Sequence, residues 1–109
     1  MTVNHILERC VNLGVKEKRV VSEDYLELVF LTRETKNWKK VLTDLLDPAI
    51  KPEGAKPSED HLEITQAYGG VYQEQTLFKK DFEEFTVIAM FWPWQDDEHT
   101  TLKVAIFNR

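Results

Sequence analysis

The segment Phe85 to Trp92 is apolar on both of its alternating faces: Val87, Ala89 and Phe91 on one, Ile88, Met90 and Trp92 on the other. Successive side chains of a strand point to opposite sides of a sheet, so a strand of this kind has to be covered twice. It therefore lies inside its sheet. Either helices lie on opposite faces of that sheet, or one face meets a second copy of the chain. This single requirement constrains the fold more than any other stretch.

The remaining pattern supplies the cover. Val3, Ile6, Leu7, Cys10 and Val11 form one helical stripe, with Thr2 or Asn4 as the cap and Gly14 as the closing residue. Val15 to Val21 and Tyr25 to Leu31 read as strands joined over Ser22-Glu23-Asp24. A second helix follows, capped by Thr32 or Thr35, with Trp38, Val41, Leu42, Leu45 and Leu46 as its stripe and Asp47-Pro48 as its stop. Residues 47–60 hold three prolines and a glycine and read as a long ordered connection.

Leu62, Ile64 and Tyr68 suggest a strand, Gly69-Gly70 a hairpin turn, and Val71 to Phe78 its return. Phe78, Phe82 and Phe85 fit either a helical turn or a hairpin at Lys80-Asp81, and the hairpin is preferred. After the doubly apolar strand, Gln95 to His99 turns the chain. Thr101 to Phe107 then closes it as a strand, with Leu102, Val104 and Ile106 on one side. The expected fold is α+β: an antiparallel sheet of about five to six strands packed by two amphipathic helices, in the order α-β-β-α-β-β-β-β. At 109 residues, 1–109 is expected to be a single domain.

One internal echo bears on organisation. Ser22 to Leu28 and Ser58 to Ile64 share five of seven residues at an offset of 36. A duplicated helix-plus-hairpin unit would explain this, as would two polar turns feeding strands.

Charge and cysteine content narrow the function. A net charge of −5, with basic residues in broken runs, disfavours nucleic acid. Cys10 is the only cysteine, which excludes an intrachain disulfide and suits a reducing compartment. Glu8 and Arg9 interrupt the apolar pattern before Gly14, unlike a signal peptide, and Val87 to Trp94 is too short to cross a membrane as a helix. A cytoplasmic location without membrane attachment is the expectation.

No cofactor or metal motif stands out: there is no HxxxH, HxH or CxxC, no phosphate loop and no nucleophile elbow. The acidic turn Asp96-Asp97-Glu98-His99 reads as a solvated loop. Phe91-Trp92-Pro93-Trp94 is the most distinctive element, because Pro93 cannot continue a ladder and leaves two tryptophans at the sheet rim. Tyr68 and Tyr72 straddle Gly69-Gly70 and extend the same aromatic surface.

These four residues are the expected binding site. They suit a small binding module that engages a protein partner or a second copy of itself. The alternative is a small-molecule carrier or an enzyme whose pocket lies under the 47–60 connection. There His61 or His99 would act as acid-base, oriented by Asp60 or Glu98.

Overall fold

The computed structural model describes residues 2–108. A helix α1 (Val3–Arg9) leads into strands β1 (Glu17–Val21) and β2 (Tyr25–Leu31), then a 3-10 turn (Thr32–Glu34) and helix α2 (Thr35–Leu46). Helix α3 (Glu59–Thr65) and a second 3-10 turn (Gln66–Tyr68) precede β3 (Thr76–Asp81), β4 (Phe85–Pro93) and β5 (His99–Asn108). The strands form one antiparallel sheet in the order β1-β2-β5-β4-β3. The α+β class and the antiparallel sheet therefore hold, with five strands.

The doubly apolar strand is β4, flanked by β5 and β3. Its Val87, Ala89 and Phe91 join Leu26, Leu28, Phe30, Leu102 and Val104 in the larger core, beneath Val3 and Ile6 of α1 and Trp38, Leu42 and Leu46 of α2. Both amphipathic helices thus cover the same face. The opposite face, with Ile88, Met90 and Ala105, packs against Ile64, Tyr68 and Val71. Its cover comes from α3, the 3-10 turn and the loop behind it. No second copy of the chain is needed to bury β4.

That cover comes from the segment expected to be a strand. Ser58 caps α3 by accepting from the His61 backbone N–H at 3.2 Å, while the Ser58 N–H donates to His61 Nδ1 at 3.1 Å. Glu59 and Asp60 complete an acidic first turn, favourable at a helix start. Ile64 and Tyr68 then lie one turn apart, both toward the sheet, and Leu62 is left exposed. Gly69 and Gly70 have the expected positive φ, 97° and 79°. They end the helical segment rather than turn a hairpin, and the return strand begins only at Thr76.

Other local expectations shift for identifiable reasons. Thr2 caps α1, its N–H donating to His5 Nδ1 at 3.0 Å, but the helix stops at Arg9, leaving Val11 exposed and Gly14 outside the cap. Neither Thr32 nor Thr35 caps α2. The 3-10 turn places Glu34 at that position, without a side-chain bond. The hairpin after β3 turns at residues 82–84, just beyond Lys80-Asp81, closed by the Phe82 N–H donating to the Phe85 carbonyl. The echoed heptapeptides fold differently, as turn plus strand at Ser22–Leu28 and as capped helix at Ser58–Ile64, so they do not form a repeated helix-plus-hairpin unit.

The 47–60 connection is ordered by an unexpected residue. Lys51 is 1% exposed, and its ammonium donates to the carbonyls of Pro52, Gln73 and Gln75. Its backbone also bridges Leu77 on the outer edge of β3. Three acceptors satisfy all three ammonium protons, and the charges of Glu74 and Glu53 offset part of the cost of burying it.

Candidate functional site

The open surface lies on the α3 side of the sheet. Trp92 projects to this side from the end of β4, and Lys103 of β5 sets its ammonium 3.6 Å from the indole centroid. The same ammonium donates to the Tyr68 carbonyl at 3.1 Å, tying the helical segment to the sheet. Burial, the larger influence, pulls this lysine below its ordinary pKa, against the opposing charge of Glu27. Tyr72 meets Trp92 edge-on at 6.4 Å, and Gly69 lies directly against the indole. Three of the four expected aromatics, Tyr68, Tyr72 and Trp92, therefore come together.

Trp94 is held separately on the same side. Its Nε1–H donates to Thr101 Oγ1 at 2.8 Å, and its ring lies 4.9 Å from His99. Arg19 sits 5.5 Å from the Trp94 centroid and is steadied by Glu17 at 3.2 Å and Glu27 at 3.9 Å. Both tryptophans are thus half-buried and engaged by their own chain. Neither stands free as an anchor. Of the four expected residues, Tyr72 is the most accessible, 57% exposed.

The accessible concavity lies on the other side of Tyr68. Two grooves of about 520 and 590 Å³ share Tyr68 and Phe107 as lining residues. Ile64 and Ala67 wall the first, with Asp60, Glu63 and Lys79 around it. Tyr25 and Ile106 wall the second, with Glu23 and Asp24 at the β1–β2 turn. Tyr25 stacks on Tyr68 at 5.7 Å and 13°, and its hydroxyl donates to Glu27 Oε1 at 2.9 Å. Burial first, and the Glu27 carboxylate second, drive the Tyr25 phenol pKa upward, so it stays a neutral donor.

Phe107, Tyr25 and Ile64 are functional candidates missed in the sequence. Phe107 ends a strand whose expected apolar face is Leu102, Val104 and Ile106, so the pattern did not single it out. A usable signal was present in Ala67, a small residue on the wall of the first groove.

The histidines do not converge. His61 serves the α3 cap, and His99 pairs with Asp96 at 2.7 Å rather than with Glu98. Neither ring lines the pocket bordered by Glu53 of the 47–60 connection. Asp96, Glu98 and His99 bring ligand atoms within 4.8 Å of one another, but Asp96 is already spent on the turn. Its Oδ1 accepts from the backbone N–H groups of Glu98 and His99. Cys10 is 3% exposed and its thiol pKa is pushed up to about 11 by burial, so it is a core residue and not a nucleophile.

Among the described residues, no helix is long and apolar enough to cross a membrane. Compared with protein-family models, curated proteins and solved structures, the chain matches none.

Proposed function

We propose that this chain is a protein-interaction module that takes a basic segment of a partner, bearing one apolar anchor residue, into the groove floored by Tyr68 and Phe107. One observation carries the reading: an aromatic floor bordered by four carboxylates, Asp60, Glu63, Glu23 and Asp24, against Lys79, the one cation among the described lining residues. Aromatic side chains supply contact area at low entropic cost, and carboxylates around them select for positive charge. The stacked Tyr25–Tyr68 pair is prearranged, which lowers the ordering cost of binding. The lone, buried Cys10 suits work in a reducing compartment such as the cytoplasm.

The test is fluorescence anisotropy with labelled peptides that place one Phe or Leu between lysines and arginines, beside partners in which the basic residues are glutamates. The basic peptides bind, the acidic ones do not, and added salt weakens binding. Asp60→Lys with Glu63→Lys lowers affinity about tenfold or more. Failure of the basic peptides to bind, or equal binding of both sets, refutes the reading.

A further inference from the structure

A second pocket, of about 300 Å³, shares no lining residue with the Tyr68 groove. It lies where α2 starts, against the end of β4 and the β4–β5 turn, under part of the 47–60 connection. Three charges border it. Lys39 reaches in from α2, Glu53 from the connection and Asp97 from the turn. Among the described residues, none of the three forms an ion pair, so the opposite charges face one cavity without closing to 4.0 Å. Among the described residues, the Lys39 ammonium has only the Phe91 ring as a partner, 5.6 Å from the centroid.

Two further features point to an occupant. Thr35 lines this pocket, and its Oγ1 is shielded from water with no hydrogen-bond partner among the described residues. Phe91 and Trp94 add an apolar side to an otherwise polar cavity. A cation resting on a benzene ring is held weakly and gives way to a carboxylate, whose charge-assisted hydrogen bonds are stronger. The volume lies at the lower end for ligand pockets, too small for a nucleotide and suited to a molecule the size of an amino acid.

We infer that this pocket binds a small zwitterion of the free α-amino acid class. The carboxylate bonds Lys39 and, once the Thr35 side chain turns toward the cavity, its hydroxyl; the ammonium faces Glu53 and Asp97, and an apolar side chain lies along Phe91 and Trp94. Both ionic groups of the ligand are needed: the carboxylate gives Lys39 an anionic partner, and the ammonium sits between Asp97 and Glu53, whose charge otherwise acts on Lys51.

The experiment is an NMR titration of the isotope-labelled chain with L-leucine and L-phenylalanine. Each is compared with the amine that lacks its carboxylate and with its N-acetyl derivative, which lacks the ammonium. Saturable shifts of the Trp94 indole and the Thr35 amide are expected with at least one amino acid and with neither stripped analogue. Lys39→Met and Glu53→Gln each weaken that binding about tenfold or more. Glu53 is exposed, so Glu53→Gln preserves the fold and carries the test even if Lys39→Met does not. The inference is overturned if neither amino acid shifts these signals, if the stripped analogues shift them equally, or if Glu53→Gln binds like the parent.

Discussion

Gly69 joins two demands that no other residue type meets. Its φ of 97° lies in the left-handed region, and a Cβ at this position would stand 2.7 Å from Cη2 of Trp92. Gly69→Ala therefore strains the backbone and pushes the indole away from Lys103. A loss of about 1–3 kcal/mol is expected in urea unfolding. The weakened Trp92–Lys103 contact should appear as a shifted indole resonance, which a purely local backbone cost would not produce.

The acidic turn makes a different prediction. Asp96 is held below its ordinary pKa of 3.8, chiefly by the Glu98 N–H, then by His99. A carboxyl whose pKa is lower in the folded chain contributes stability that is present above 3.8. That contribution disappears as pH falls through the lower folded value. An NMR titration of the Asp96 carboxyl should give a midpoint under 3.8, and Asp96→Asn should remove that part of the acid sensitivity.

At the scale of elements, the 47–60 connection is fastened by Lys51. Lys51→Met keeps the length of the side chain but leaves three carbonyls without their donor. It should cost about 2–4 kcal/mol, a fall in melting temperature on the order of 10 °C. Exchange of the Ile50, Gly54 and Leu77 amides should accelerate first, since these hydrogen-bond the connection to its neighbours.

A lysine in a charged, proline-rich stretch reads as solvent-facing, and only the three carbonyls brought by distant segments reverse that reading. The boundaries of β2 and the stripe of α2 were legible because periodicity is written in the residues themselves. Helix α3 was not, since Leu62 and Ile64 alternate like a strand while the deciding evidence is a cap of Ser58 on His61. The aromatic cluster was half legible. Two glycines between Tyr68 and Tyr72 marked a place where aromatics gather, but partners such as Lys103 and Phe107 depend on strand register.

For the whole molecule, the decisive fact is that β4 is buried on both faces by its own chain. Association through the sheet itself would then have to use an edge, and the two edges differ. The outer edge of β3 is closed by the Lys51 bridge to Leu77. The outer edge of β1 is open, and all five of its residues are exposed. That edge carries Glu17, Lys18 and Arg19, and its register shifts between Lys18 and Val20. Charge and a bulge are the features that discourage strand-to-strand pairing.

The chain should therefore sediment as a monomer of 12.8 kDa across a wide concentration range. Replacing the guard residues by Lys18→Val with Arg19→Val should produce a heavier species by flattening the edge and removing its repulsion. Val20 and Val21, already 42% and 47% exposed, would extend the new apolar strip. Arg19→Val alone also frees Trp94, so it serves as the control. If that single variant associates as strongly as the pair, the released indole drives the contact rather than the edge. A parent chain that sediments as a dimer would show that charge and bulge do not protect β1 and that the edge is already an interface.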